Sequence, residues 1–474
     1  MLQNWFIMLP ELLLLSYLPL AWLVKVCRSG QTYKTFYTLS KYFLSASLVF
    51  NIIFYNKTVF ASLLLNTAAA SLFKTIVYLA ALVWFYLSSK WFLNKSRSSF
   101  GFYQLAVSGV LILELLISSH NLMLTAILLT LGCLLVWAML NLHWDKNAIK
   151  EISVLYAFFA VIFLIALWIG IIMLAYHRFP MDYAAVRDCI NDKTLGEGWL
   201  YVVMGLTLAP VLFMLGLAPF HSCLVGVIRS SILPVSGYLT LVFPVSLLCV
   251  LLNLVSQVWS NALAVVSPLL LAFAAISLVL GALSANGEKN LRQLFAFSSI
   301  YHLGFMLFTL VSFNANSLLS AFTYIVIYLL SMLGIYTVFL GLKRRGNYLT
   351  DVDDVDGLAL SKPYISVSWL IFMFSLIGLP PMLGFLGRLS VINNLVLEER
   401  WGSVICLLLS LLFIANAYLQ LIRHIYFTPV VKSFDRADKA IYLCLFVNLL
   451  LVLISTLNPE FWLRSAEHIL KGAF

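Results

Sequence analysis

Fourteen apolar runs, each of roughly the length a helix needs to cross the hydrocarbon core of a bilayer, alternate with short polar pieces along the 474 residues. They cover 4–24, 38–56, 72–94, 101–119, 122–142, 151–176, 198–219, 232–256, 261–284, 296–313, 317–342, 363–386, 402–424 and 438–458. The longest pieces between them are 177–197 and 343–362, and neither is long enough for a soluble domain. Two runs are interrupted. The stretch Ser375 to Arg388 carries two prolines, three glycines and a terminal arginine. Each proline removes a backbone N–H and clashes with the preceding turn, so a helix here must break. A weaker twin, Gly216-Leu217-Ala218-Pro219-Phe220-His221, lies 162 residues earlier. In lipid, freed backbone groups are tolerated only where protein or water satisfies them, and broken helices commonly build ion or proton sites. A pair of simple packing kinks is the alternative.

This pattern predicts an all-α polytopic membrane protein of about 14 transmembrane helices, with spans 4–8 and 9–13 as two inverted repeats and breaks in spans 7 and 12, near Gly216–Pro219 and Gly378–Pro381. It further predicts one membrane domain over 1–474, made of flanking helices in 1–100, repeats in 101–256 and 261–424, and a C-terminal helix and tail in 438–474.

Composition agrees: 63% of the residues are hydrophobic and only 10% charged, more apolar surface than a soluble fold can hide. The net charge of +10 is scattered through short loops, which argues against nucleic acid as a partner. The seven cysteines form no Cys-x-x-Cys pair and no His/Cys cluster, so no Fe–S centre, structural zinc or other cofactor is expected. One set of alternate loops holds 20 lysines and arginines and the other 8, with Lys74 inside the third span. That asymmetry supports the span count and puts both termini on the outer side.

The residues also carry a family resemblance. Asn290-Leu-Arg-Gln-Leu-Phe-Ala-Phe-Ser-Ser-Ile-Tyr-His302-Leu-Gly304 resembles the loop-to-helix signature of the antiporter-like membrane subunits of respiratory complex I. Tyr324 to Gly334, Asp356-Gly357-Leu358, the 375–388 stretch and Ala417-Tyr-Leu-Gln-Leu-Ile-Arg423 continue the pattern in order. Gly216 to His221 and Pro234-Val-Ser236 favour the NADH dehydrogenase subunit 2 branch, called subunit N in bacteria. The resemblance covers roughly residues 100 to 427; the flanks agree mainly in hydropathy.

The resemblance implies a proton-moving axis: a glutamate on the fifth helix and lysines on the seventh, eighth and twelfth. Here the aligned positions are Thr130, Met214, Pro244 and Arg388. Threonine and methionine exchange no proton, and a guanidinium stays charged at any accessible pH. Span 5 contains no acid and spans 7 and 8 no lysine, whatever the register.

The remaining proton-path candidates are Lys74 and Glu114, expensive in hydrocarbon, and His302 with Tyr301, Tyr324, Tyr328, Ser298 and Ser299. For each a bland role stands beside it: a local ion pair or a contact with a neighbouring subunit, a bonded core histidine, inter-helix hydrogen bonds. Glu11, near the outer end of span 1, reads as interfacial, and Arg388 as a fixed charge near the outer end of span 12 that seeks a carboxylate from a neighbouring subunit or lipid headgroups. No catalytic residue and no metal ligand is singled out.

Three functions follow: a structural membrane-arm subunit of NADH:quinone oxidoreductase whose own proton route is degraded, the same subunit still pumping through replacement residues, or a cation/proton antiporter subunit. The antiporter is the weakest, since exchange is its only task. The first two imply other membrane-arm subunits and lipids as partners, and no soluble small-molecule substrate. Any oxidoreductase label would belong to the assembly, because the chain has no NAD, flavin or Fe–S motif. The chain length resembles bacterial and protist or plant versions, and the eroded axis suggests a mitochondrial lineage, so the mitochondrial inner membrane is expected, with the bacterial cytoplasmic membrane as the alternative.

Overall fold

The computed structural model describes residues 7–27, 33–55, 63–92, 99–143, 147–177, 179–191, 197–312, 315–429 and 433–458. The first residues of span 1 and the loop cations Arg28, Lys57, Lys95, Arg97, Lys146, Arg178, Lys193, Lys432, Arg464 and Lys471 lie outside the described residues.

Every apolar run carries helix. The flank comprises α1 (Leu9–Cys27), α2 (Tyr33–Ile53) and α3 (Ala68–Ser89). Next come α4 (Ser99–Ser118), α5 (Leu122–Leu140), α6 (Asn147–His177) and a short α7 (Tyr183–Asn191). The first break separates α8 (Glu197–Met214) from α9 (His221–Ser230), and α10 (Leu233–Val258) follows. Then come α11 (Leu263–Ala285), α12 (Leu291–Ser312) and α13 (Ala315–Gly341). The second break separates α14 (Pro363–Ile377) from α15 (Leu383–Leu397); α16 (Trp401–Phe427) and α17 (Lys439–Leu457) close the chain. Among the described residues, twelve helices are long and apolar enough to cross a membrane, and α8, α14 and α15 are shorter apolar helices. The 343–362 piece is more structured than its composition suggests: strands β1 (Lys343–Arg344) and β2 (Asn347–Tyr348), a tight turn at Val352–Val355 and a helical turn at Leu358–Ser361.

Long apolar runs do not say which residues face lipid. On α6, Val154, Phe158, Val161, Ile165 and Ile172 are exposed, as suits side chains for which lipid tails are a good solvent. By contrast, α10 is buried almost throughout. It winds wide at Tyr238–Val242, just before Pro244, whose missing N–H and ring disfavour a regular turn there.

The chain forms two compact units. Unit 1 is Met1–Leu215 with Ser230–Val266; unit 2 is Gly216–Arg229 with Ser267–Lys471. Each contains the same clasp. In unit 1, Asn121 caps α5 by accepting from the N–H groups of Met123 and Leu124, and its amide donates to Asp182 at 2.9 Å. Around it Leu122 N donates to Met181 O and Tyr183 N to His120 O. In unit 2, Asn290 accepts from Gln293 N and donates to Asp351 at 3.4 Å. Leu291 N donates to Thr350 O and Val352 N to Lys289 O. The spacing within both clasps is 61 residues. An N-cap asparagine satisfies orphan N–H groups of the helix, so each clasp starts a helix and ties it to a distant loop.

Candidate functional site

The second break is where unit 2 gathers its buried polar groups. Helix α14 ends at Gly378, which has φ of 77° and donates its N–H to Phe374 and Ser375 carbonyls. Only glycine takes this conformation without strain, and it is a common way to stop a helix. The chain then passes Pro380 and Pro381, both exposed, before α15 begins. At Gly384 an added Cβ would stand 1.7 Å from the Ser375 carbonyl oxygen, so the two half-helices touch backbone to backbone.

Into this gap α15 sends Arg388. Its side chain is buried; one guanidinium nitrogen donates to the Tyr301 hydroxyl at 2.7 Å and another to the Leu376 carbonyl. Leu376 belongs to the last turn of α14, whose carbonyls have no intrahelical partners and whose end carries negative dipole character. The guanidinium also faces the rings of Tyr301 and Phe305 at 5.3 and 5.1 Å, a favourable cation–π placement. This corrects the expectation of a charge near the outer end of its span seeking a partner outside the chain: Arg388 finds its acceptors within unit 2.

Beside it, His302 bonds the Tyr324 hydroxyl through Nδ1 at 2.9 Å and the Tyr418 hydroxyl through Nε2 at 3.2 Å, and Tyr418 bonds Ser298. Helix α12 begins at Leu291, so His302 sits in its middle and not near its start as the apolar run suggests. A narrow void between His302, Tyr324, Tyr328, Ser375 and Arg388 adjoins this chain of hydroxyls and imidazole. Phenol and imidazole groups in hydrogen-bond contact can pass a proton by exchanging donor and acceptor roles. The guanidinium, always charged, cannot carry one and supplies a fixed positive potential. Sequence reasoning brought Arg388, His302, Tyr301, Tyr324, Tyr328 and Ser298 forward; it missed Tyr418, although the motif Ala417-Tyr-Leu-Gln contains it.

Unit 1 is different. Thr130 spends its hydroxyl on the Ala126 carbonyl at 2.8 Å and receives the Trp168 indole N–H at 3.4 Å. Met214 is buried and meets α5 at Gly132, and Pro244 is buried within α10. Gly216, the first residue of the 216–229 segment that belongs to unit 2, has φ of 68° and packs against Leu224, while Pro219 is exposed. Helix α8 carries no lysine or arginine, and in unit 2 Arg229 lies in the last turn of α9. Lys74 and Glu114 are both buried, and Lys74 donates to Glu11, which is only 3% exposed and so is covered by protein.

Asp353, Asp356 and His424 bring ligand-type atoms within 4.8 Å of one another. Their geometry already has a structural use: His424 Nδ1 lies 2.7 Å from Asp356, which also accepts from Thr428 at 3.1 Å, tying the end of α16 to the loop after β2.

The sequence profile described as NADH:quinone oxidoreductase/Mrp antiporter, TM, matches residues 183–414. The chain is similar to NADH-quinone oxidoreductase subunit N of Pelagibacter ubique, 28% identical over 369 residues that cover 77% of each chain. Its similarity to the Bartonella bacilliformis protein of the same name is 24% over 479 residues, 99% of this chain and 97% of that one. Among solved structures it superposes on a chain of respiratory complex I from Thermus thermophilus with TM-score 0.81 and 21% identity, covering 96% and 98% of the two chains. A chain of the Mrp complex from Dietzia gives TM-score 0.82 and 13% identity over 98% and 97%.

Proposed function

Because the chain belongs to the antiporter-like membrane subunits of the NADH:quinone oxidoreductase/Mrp antiporter family, we propose that it is the subunit N, or subunit 2, component of a respiratory complex I membrane arm. We propose further that it serves there chiefly as structure, its own family-type proton route degraded. Other membrane-arm subunits are its partners, with lipid around the exposed apolar faces, and the redox chemistry belongs to the assembly. The paired clasps and paired breaks support reading spans 4–8 and 9–13 as inverted repeats. The relatives named above are bacterial, which favours the bacterial cytoplasmic membrane over the mitochondrial inner membrane, with the lysine-rich loops inward.

One observation carries the degraded route. Thr130 and Met214, at the positions aligned with the family's acid and lysine, are engaged by backbone and apolar packing, and a lysine is retained in such a place only when something pairs it. The test begins with recovery of the tagged chain from membranes. It should bring down a complex that oxidises NADH with quinone; recovery in an assembly lacking that activity would favour the antiporter. In liposomes holding the recovered complex, Thr130→Val with Met214→Leu should leave the proton-to-electron ratio unchanged, and a lowered ratio would mean that protons still cross here.

A further inference from the structure

Unit 1 holds a second cluster of buried charge, apart from the clasps and the breaks. Lys74 on α3 donates to Glu11 on α1, both nearly without exposure. Glu114 on α4 is completely buried, lies within electrostatic reach of both, and has no hydrogen-bond partner on either carboxyl oxygen. The second oxygen of Glu11 is likewise unpartnered. The other titratable groups facing the cluster are the Tyr78 hydroxyl on α3 and the Cys249 thiol on α10. Helix α2 contributes Ser47 and Asn51, which are neutral and bond to the Pro10 and Ser71 carbonyls. Helix α5 carries no acid or base other than the Cys133 thiol.

Charge balance decides what such a cluster can hold. One ammonium neutralises one carboxylate, so a second carboxyl group away from water is balanced only when it carries a proton. A metal cation is a poor alternative occupant, because hard cations need several oxygen ligands and one carboxylate of the cluster is already taken by the Lys74 ammonium. We propose that Glu11, Lys74 and Glu114 form a proton-binding site holding one exchangeable proton on two carboxyl groups, with Lys74 as the counter-charge of whichever is ionised. A packing staple would need only the Lys74–Glu11 pair; the third, unpartnered carboxyl is what turns the pair into a site. The site stands whether or not the chain serves complex I.

The experiment is infrared spectroscopy of the full chain in lipid nanodiscs, reading the C=O stretch of protonated carboxyl groups in H₂O and D₂O as differences from isosteric variants. The wild type should show one such band from this site, shifted in D₂O and lost in Glu114→Gln. Glu11→Gln should also abolish it although Glu114 remains, because Glu114 then becomes the counter-ion of Lys74. Lys74→Met should about double it, both acids then being neutral. The glutamine variants are close in shape to protonated glutamate, and unchanged helical content would show that they fold. A band that persists in Glu114→Gln, ignores Glu11→Gln or fails to shift in D₂O overturns the proposal, as does its absence from the wild type.

Discussion

The two units bury positive charge among membrane helices in opposite ways. In unit 1 an ammonium meets a carboxylate, Lys74 to Glu11, with a second acid within electrostatic reach. In unit 2 a guanidinium sits with no carboxylate partner among the described ion pairs, held by a half-helix carbonyl, a phenol and two ring faces. Both arrangements answer the same desolvation cost, yet they differ in chemistry. Glutamate and lysine can change charge by taking or giving a proton, whereas arginine holds its charge and fixes the surrounding dipoles. In this chain the titratable cluster of buried charges lies on α1, α3 and α4, whereas Thr130, Met214 and Pro244 on α5, α8 and α10 carry no group that exchanges a proton. At the second break the buried cation of α15 bonds the end of α14 through the Leu376 carbonyl.

That contrast is most exposed at Arg388. Arg388→Met would strip partners from the Leu376 carbonyl and the Tyr301 hydroxyl and remove the cation–π contacts. About 2–4 kcal/mol of stability should be lost, since each buried polar group left unsatisfied costs about 1–3 kcal/mol. Thermal unfolding of the chain in nanodiscs should show the loss directly. Any fall in assembly would follow from the weakened break inside this chain and not from a missing subunit contact. Arg388→Lys should recover only part, because an ammonium lacks the flat fork that reaches both acceptors. Unchanged stability together with a lowered proton-to-electron ratio would reverse the contrast and make Arg388 part of a working path.

The fold was legible because a membrane helix announces itself in composition, and because proline and glycine in an apolar run have one backbone consequence. Arg388 and His302 stood out as polar groups in costly places. Their partners did not. Tyr418 is one phenol in an apolar helix, and its value depends on which face of α16 meets α12. Glu11 looked interfacial because it lies near the start of its run; only the neighbouring α3, with Lys74, shows that the position is covered. The clasps were invisible for the same reason. An asparagine and an aspartate 61 residues apart carry no periodicity, and only the loop geometry joins them.

The clasps allow a finer comparison, because the same residue pair occurs once in each unit. Asn121 lies 2.9 Å from its aspartate, whereas Asn290 lies 3.4 Å from its own. Asn121→Ala should therefore cost more than Asn290→Ala, about 1–2 against about 0.5–1 kcal/mol on the scale of N-cap removals. Chemical denaturation of the two variants, read as the shift in midpoint, measures the order. Equal losses would mean that the backbone pairs around each clasp carry its stability.

The smallest difference is one of acid sensitivity. In unit 2 the clasp aspartate Asp351 starts a tight turn whose third residue, Asp354, reaches back to accept from the N–H groups of Thr350 and Asp351 at 2.9 and 3.1 Å and from the Thr350 hydroxyl at 3.1 Å. Partial burial alone would raise this carboxyl, but those donors, helped by the Arg344 guanidinium, hold it below its ordinary value. The sign then follows. A carboxyl with a depressed folded pKa adds stability that is fully present above the unfolded value, about 3.9 for aspartate, and that is lost as pH falls through the folded one. Partial exposure lets solvent screen the interaction, so the effect is local and modest. Protection of the Thr350 and Asp351 amides against hydrogen exchange should stay level above about pH 5 and drop on acidification below about pH 4. Asp354→Asn should lower that protection at neutral pH and remove the acid step. In unit 1 the residue after the clasp aspartate is Tyr183, whose hydroxyl meets Thr125 at 2.7 Å, and neither group titrates in this range. An equal acid step at the Tyr183 amide would erase the distinction between the two clasps.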